Sequence, residues 1–372
     1  MRNNYMYMKK KRLWMMLLTV AVLFVSASCS KDDDKPQPGN TPVAAGARLQ
    51  VMVAFAPGQL GDNGYADGLL MGASSLELTE ALGGDTDTID VHFTSLYSVS
   101  DTRKALKNWA ASAVHPFYDT NYERRLLVFT EPYQTAWLAD VKEYLRETDE
   151  VLIMKADDAY TQKIAETYGL GDRVHGLNFD ITEVMRRYCD IVRSDIHDDE
   201  FKSVFTGDKP EIVLFRRFNA QQNYYCDGIE DIIRQELGDE VKLTVMSLSE
   251  YVTTSELSEE TNVASIQAAY TAALQFDNHF QEVGYGFVIA DLGTSNSGML
   301  NYILGSPLAH YEVMMLDNSP YSFNYTAICR DGYYASGSWI REWMKQPVGA
   351  MPRFKLYAGD DAVRHNLSEV VE

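Results

Sequence analysis

The ten residues Gln59-Leu60-Gly61-Asp62-Asn63-Gly64-Tyr65-Ala66-Asp67-Gly68 stand between an apolar run, Leu49 to Phe55, and a helical pattern, Leu69 to Leu82. An apolar run, a polar Gly-punctuated loop and a helical pattern read as a strand, a ligand-facing loop and a helix start. The chain repeats this arrangement 160 positions later. Val53, Phe55, Asn63, Tyr65, Asp67 and Gly68 are matched without a gap by Val213, Phe215, Asn223, Tyr225, Asp227 and Gly228. Beyond the helix, Ser95-Leu96 after the run Ile89 to Phe93 is echoed by Ser247-Leu248 after Val241 to Met246. Two copies of a β-loop-α-β unit predict an α/β protein with two similar, doubly wound parallel-sheet lobes joined by a hinge, and a binding cleft between them.

The rest of the chain keeps the same rhythm. Strand-like runs at Leu49 to Phe55, Ile89 to Phe93, Arg125 to Phe129, Val151 to Met154 and Val174 to Leu177 alternate with helical patterns at Tyr65 to Leu82, Thr102 to Ala113, Gln134 to Glu147 and Tyr160 to Tyr168. This is the pattern of βαβ units on a parallel sheet. The first crossing between lobes falls at Leu177 to Asp180, before a helix at Ile181 to Ile196, and Asp199 to Pro210 reads as a surface loop. The second lobe runs through Ile212 to Phe215, a helix from Tyr224 to Leu237, Val241 to Met246, a helix from Val263 to Val283, Phe287 to Ala290, a short helix near Gly298 to Leu304, and Val313 to Leu316. A strand at Phe323 to Cys329 and a helix at Tyr333 to Met344 would return across the hinge, and the last dozen residues read as frayed. The expected divisions are 1–28, 29–44, 45–180 for lobe 1, 181–320 for lobe 2, and 321–372 for the return segment.

The amino terminus is read apart from the fold. Arg2, Lys9, Lys10, Lys11 and Arg12 precede an apolar segment, Leu13 to Val25, too short for a comfortable membrane span, and Ser26-Ala27-Ser28 lead into Cys29. This resembles a bacterial lipoprotein signal, which implies lipidation of Cys29; an ordinary secretory leader is the other reading. Asp32 to Asp34 resembles an export tag to the outer face of a Gram-negative outer membrane, or is a solvated spacer, and Lys35 to Pro42 is a Pro-rich tether. Loss of the five basic residues of residues 1–28 from the 33 Lys and Arg leaves 28 against 53 Asp and Glu, a net charge of −25. Such a chain repels nucleic acid and anionic membrane surfaces, so the expected membrane attachment is through lipid alone. Cys189, Cys226 and Cys329 lack metal-ligand spacing and read as small, mostly buried thiols.

In open parallel sheets, ligands bind at the carboxyl ends of the strands. There the sequence places Gln59, Asp62, Asn63 and Tyr65, then Thr130 and Glu131, then Lys155, Asp157 and Asp158. In the second half it places Arg216, Asn219, Gln221 and Asn223, then Asp291, Thr294, Ser295 and Asn296, and finally Asp317 and Asn318. Of these, Gln59, Asp62, Asn63, Tyr65, Thr130, Glu131, Asn219, Gln221, Asp291, Asn296 and Asp317 are the candidate ligand-binding residues. Amides, hydroxyls and carboxylates with few cations fit a polar neutral or partly cationic ligand, although each is also what a turn or cap requires. Asp67 and Asp227 read as first-turn carboxylates that favour the helix dipole, and Gly68 and Gly228 as allowing close helix packing. No nucleophile elbow, phosphate-binding lysine loop or zinc-protease helix occurs, so no enzyme activity, cofactor or metal is expected. Gly293 to Gly298 reads as a hydroxyl-rich turn, and His197 to Glu200 as a solvated helix end.

At this point the residues resemble a known family. Gly61-Asp62-x-x-Tyr65-x-x-Gly68 after a strand is similar to the type I periplasmic-binding-protein fold, nearest to the basic-membrane-protein group of lipoproteins with its purine nucleoside receptors. Val174 to Asp180 resembles the first hinge, Tyr224 to Gly228 the first helix of lobe two, and Asp331 to Gly337 the return segment. The resemblance implies ligand contacts for Asp62 and Tyr65 in lobe 1 and for Asp291 and Asp317 in lobe 2. The chain departs from that group at Asn63-Gly64 and Ala66, and lacks the Gly-rich carboxyl-terminal pattern of the nucleoside receptors. The reading is a lipid-anchored, surface-exposed outer-membrane protein that captures a small sugar- or nucleoside-like ligand for a transporter or sensor partner. The alternative is a surface lipoprotein that keeps the fold for adhesion or glycan or protein contact, which a cleft filled by its own side chains would favour. A hydrolase, the third reading, would require a nucleophile and base within hydrogen-bond distance.

Overall fold

In the computed structural model of the protein the described residues are 48–367, apart from 62, 84–87, 95–97, 116–120, 223, 253–261, 307–308, 320–325 and 360–361. The leader, Cys29 and the tether therefore lie outside the described residues, as do Asp62 and Asn223.

Five parallel strands, β1 (Arg48–Ala54), β2 (Thr88–Thr94), β3 (Arg124–Phe129), β4 (Asp149–Met154) and β5 (Val174–Phe179), form the first sheet. Five more, β6 (Glu211–Arg216), β7 (Lys242–Ser247), β8 (Gly286–Asp291), β9 (Tyr311–Leu316) and β10 (Thr326–Arg330), form the second in the equivalent order. The last two strands are shared out: β11 (Phe354–Tyr357) adds parallel to β5, and β12 (Val363–His365) adds antiparallel to β10. The full orders are β11-β5-β4-β3-β1-β2 and β12-β10-β9-β8-β6-β7, so the internal repeat seen in the sequence is a repeat of sheet topology. Central strands such as β4 and β8 are buried along their whole length, as sheets covered on both faces require.

In lobe 1 the connections are α1 (Tyr65–Gly83), α2 (Val99–Ala111), the short α3 (Leu138–Val141) and α4 (Asp158–Tyr168). After β5 the chain crosses, because α5 (Thr182–His197) packs on α7 (Ile229–Glu236) of lobe 2, with α6 (Asp199–Val204) between them in sequence. The long α8 (Asn262–Val283) and α9 (Asn296–Gly305) pack together on the second sheet's flank. The chain crosses back at Asp331, since α10 (Gly332–Met344) lies against α1. A third crossing between β11 and β12 completes the hinge. The α1–α10 contact is backbone-close: a Cβ on Gly72 would lie 2.2 Å from the Tyr333 carbonyl oxygen. No described helix is long and apolar enough to cross a membrane.

Five expectations are corrected here. Gln134 to Glu147 is not one helix but a 3-10 segment (Pro132–Trp137), α3 and a second 3-10 turn (Lys142–Tyr144); Pro132 and the Glu131–Gln134 capping box start a tight turn instead. Within the expected loop Asp199 to Pro210, Asp199–Val204 is helical, because the Asp198 carboxylate accepts from the Glu200 N–H and caps α6. The second-lobe helix starts at Ile229 rather than Tyr224, since Gly228 adopts φ +66°. A Cβ there would meet nothing within 4 Å, so Gly228 serves backbone conformation and not helix packing. Finally, residues 363–365 pair with β10 rather than fraying.

Candidate functional site

The carboxyl ends of both sheets face one another, and the side chains that leave them form a continuous chain of charges. Glu131 lies 2.6 Å from Lys155, Lys155 lies 2.5 Å from Asp317, and Asp317 lies 2.6 Å from Arg330. Arg330 continues to Asp227 at 3.5 Å, Asp227 to Arg216 at 2.9 Å, and Arg216 to Asp291 at 3.0 Å. Glu131 and Lys155 belong to lobe 1 and the others to lobe 2, so the Lys155–Asp317 pair spans the hinge.

The repeat governs this arrangement. The ammonium of Lys155 sits 4.3 Å from the centre of the Tyr65 ring, and the guanidinium of Arg216 sits 4.1 Å from the Tyr225 ring, the residue 160 positions on. Each tyrosine thus carries a cation on its face, and each cation has two carboxylates: Glu131 and Asp317 in one case, Asp227 and Asp291 in the other. Burial opposes the charge on Lys155, but Asp317 and Glu131 outweigh it and hold the ammonium above its ordinary value. Burial pushes the Asp291 carboxyl up, and the charge of Asp227 adds to this against the pull of Arg216. Burial also opposes the charge of Asp227, but Arg216 and Arg330 overcome it and hold the group below the usual carboxylate range.

Further contacts close the lobes. The Tyr65 N–H donates to the Asp317 carbonyl at 3.0 Å, and the Asn178 side-chain amide donates to the Cys226 carbonyl at 2.7 Å. Tyr133 of lobe 1 packs its ring 5.0 Å from Phe218 and 6.3 Å from Tyr224 of lobe 2, and the Arg217 guanidinium lies 5.3 Å from the Tyr133 ring. Among these groups lies a cavity of about 40 Å³. Two residues that border it, Tyr133 and Arg330, each bury a donor, the hydroxyl and Nε, that has no hydrogen-bond partner among the described residues. On the far side of the Arg216–Tyr225 pair a wider hollow of about 490 Å³ opens between Asn219, the start of α7 and the end of β7.

The candidates from the sequence separate into three groups. Gln59, Glu131 and Asp291 border the cavity, while Tyr65 and Asp317 build its closing contacts. Thr130 and Asn296 are wholly buried behind it: the Thr130 hydroxyl lies 3.0 Å from Gln59 Oε1, and Asn296 donates to the Leu316 carbonyl and the Asn318 amide oxygen. Asn63 is an exposed turn residue at φ +57° whose N–H donates to Asp67, Asn219 borders the outer hollow, and Gln221 is exposed; none of the three borders the cavity. Asp67 accepts from the Gly61 N–H as well, which fits its reading as a structural carboxylate. Asp227 accepts from the Ile229 N–H at the start of α7 at 3.2 Å, but unlike Asp67 its carboxylate also faces two arginines.

The expectation of few cations is also corrected, since Lys155, Arg216, Arg217 and Arg330 all converge here. Arg330 ends β10, so the carboxyl-end rule applied to the return segment finds it. Tyr133, Phe218 and Tyr224 carried no such signal, because an aromatic residue in a loop reads as core. Cys189 and Cys329 are buried, whereas Cys226 is partly exposed and borders the cavity, its thiol pushed up to about 11, mainly by burial. Among the described residues no group of three or more His, Cys, Asp or Glu could hold a metal ion.

No protein-family model matches the sequence, and no curated protein matches it. Solved structures do. An ABC transporter system solute-binding protein from Aeropyrum pernix K1 superposes with a TM-score of 0.53 at 16% identity, over 85% of this chain and 76% of that one. A glucose-galactose binding protein from Geobacillus stearothermophilus gives 0.52 at 14% identity, over 86% and 96% of the two chains. An arabinose binding protein from the same organism gives 0.51 at 12%, again over 86% and 96%. The fold is therefore the two-lobed type I periplasmic-binding-protein fold.

Proposed function

We propose that the protein is a non-catalytic solute-binding protein whose lobes close on a small, neutral, polyhydroxylated ligand of the sugar class. The observation that carries this is the convergence, at the carboxyl ends of both sheets, of two buried unpartnered donors with several aromatic rings. Hydroxyl groups accept and donate on all sides, and rings offer faces to the C–H surface of a pyranose. Charge balance adds support: Lys155, Arg216, Arg217 and Arg330 face Glu131, Asp227, Asp291 and Asp317, so the cleft has no surplus to attract a strongly charged ligand. The sugar-binding names of the structural neighbours agree with this class, and a nucleoside remains the finer alternative that the sequence resemblance suggests. The cavity of about 40 Å³ is well below the roughly 150 Å³ that holds a benzene ring, so a sugar requires the lobes to part.

The same chain of ion pairs favours the second reading, a surface lipoprotein whose cleft is filled by its own side chains and which meets a glycan or protein elsewhere. Differential scanning fluorimetry of the purified chain against monosaccharides, polyols and nucleosides separates the two. A sugar that raises the melting temperature, with the rise reduced in Tyr133→Ala, supports the first. No shift with any of them supports the second. We further propose that the leader makes the chain a lipoprotein anchored through Cys29 and displayed on the outer membrane, with a transporter or sensor as partner. Cys29→Ser should then release the chain from membranes, and retention on them would count against the anchor.

A further inference from the structure

The Lys155–Asp317 pair joins equivalent corners of the two lobes. Lys155 follows β4 and Asp317 follows β9, strands with the same place in their sheets, and both residues sit at positive φ, 58° and 63°. Glycine is the default residue in such a conformation, and a side chain kept there is strained. Aspartate tolerates it better than lysine does, and here the two side chains meet each other at 2.5 Å. The ammonium lies between the Glu131 and Asp317 carboxylates and over the Tyr65 ring, 4.3 Å from its centre. Two carboxylates and an aromatic face are the surroundings that recognise an alkylammonium ion, and the chain supplies that ion from its own backbone.

We propose that Lys155 is a resident occupant of the cleft: its ammonium fills a carboxylate–tyrosine box assembled from both lobes and locks them shut, so that a ligand gains access only when Lys155 releases Asp317. The ligand's part in this rests on the solute-binding reading above, whereas the lock does not. Opening would also break the Tyr65 N–H bond to the Asp317 carbonyl and the Asn178 bond to the Cys226 carbonyl. Cys226 borders the cavity, while Cys189 and Cys329 are buried within the lobes, so the thiols report separately on opening and on unfolding.

The test is the rate of iodoacetamide alkylation of each cysteine, followed by peptide mass spectrometry on the purified full chain without sugar. Lys155→Gly removes the ammonium and relieves the backbone strain together. The expected result is an increase of about tenfold or more at Cys226 alone, as loss of a buried pair predicts, with Cys189 and Cys329 still protected. Millimolar n-butylammonium should refill the box and restore slow alkylation, and uncharged n-butanol should not. An unchanged rate at Cys226, or equal rescue by butanol, overturns the proposal. Should Lys155→Gly expose all three thiols, Asp317→Asn decides, because asparagine tolerates this backbone conformation. Selective exposure of Cys226 upholds the lock, and an unchanged rate or exposure of all three assigns the pair to the fold and overturns it. Because no sugar is present, a working lock with no sugar-induced melting shift leaves the inference standing while the solute-binding reading falls, and the converse result does the reverse.

Discussion

Replacing Asp227 by asparagine distinguishes two accounts of that residue by magnitude. A carboxylate in the first turn of a helix, as its sequence position suggests, contributes about 0.3–1 kcal/mol through the dipole. In the structure its side chain is 7% exposed, with oxygens 2.9 and 3.0 Å from the Arg216 guanidinium and 3.5 Å from that of Arg330. The amide keeps the shape and deletes the charge, leaving two buried guanidinium groups short of a counter-charge; breaking a buried pair from one side costs about 3–5 kcal/mol. Asp67→Asn at the equivalent position breaks no ion pair among the described residues and only weakens bonds from the Gly61 and Asn63 N–H groups at 2.7–3.0 Å, a loss of about 1–2 kcal/mol. Urea unfolding followed by tryptophan fluorescence gives both values from the midpoint shifts. The pH dependence provides a second check. Burial opposes the charge of Asp227, but the arginines hold its folded value below the usual carboxylate range. Its contribution is therefore complete above the unfolded value and is lost as pH falls below it toward the folded value. The gap between wild type and Asp227→Asn should narrow on acidification. A loss under about 1 kcal/mol, or a gap that does not narrow below about pH 4, would refute the ion-pair account.

Two other buried carboxylates give predictions of opposite sign with pH. Glu150 is fully buried at the base of lobe 1, where it accepts from Arg124 at 2.6 Å, Trp343 Nε1 at 2.6 Å and the Gly349 N–H at 2.9 Å, with His175 Nε2 at 3.2 Å. Burial pushes its carboxyl up, but bonds from His175, Arg124, Gly349 and Trp343 bring it down to about 2. Glu150→Gln should cost about 3–5 kcal/mol at neutral pH, with the cost shrinking as wild type is acidified through about 4.5 toward 2, and should raise amide exchange first at Gly349. Asp291 is raised by burial and by Asp227 despite Arg216, so its favourable contribution is present below the unfolded value and lost as pH rises through the folded one. Urea midpoints across that range should fall with pH more steeply for wild type than for Asp291→Asn, and parallel slopes would contradict the shift.

What the sequence discloses and what it hides follow from the range of each interaction. Strand and helix positions come from periodicity, a local property, and the 160-residue repeat predicts the equivalence of the two sheets because duplicated patterns fold into duplicated cores. The failures are equally local. Pro132 and the Glu131–Gln134 box override the helical pattern of Gln134 to Glu147, and the positive φ of Gly228 delays the start of α7. The site is less legible, since a carboxyl-end position says that a side chain reaches the cleft region but not what it meets. Asn296 and Thr130 satisfy that rule and are consumed behind the wall. Asp227 and Gly228 match Asp67 and Gly68 in sequence, yet one pair ties to arginines and a left-handed corner while the other caps a turn and admits a helix. Identity at equivalent positions therefore does not carry identity of role once Ala56 of the first copy is replaced by Arg216 in the second.

That replacement also decides how the two lobes can separate. Arg216 takes both of its carboxylates, Asp227 and Asp291, from lobe 2, so hinge motion leaves its pairs intact. Lys155 takes one from each lobe and gives up Asp317 when the cleft opens, but it keeps Glu131. Asp317 in turn keeps Arg330, which also keeps Asp227. No charge is stranded without a partner in the open form, and each group released gains water in exchange. The penalty for opening is then that of one ion pair and a few hydrogen bonds rather than of several isolated buried ions. Such a gap of about a few kcal/mol is within what differential binding of a ligand can supply. The distribution of carboxylates between the lobes, rather than their number, is what makes a cleft so densely charged compatible with hinge motion.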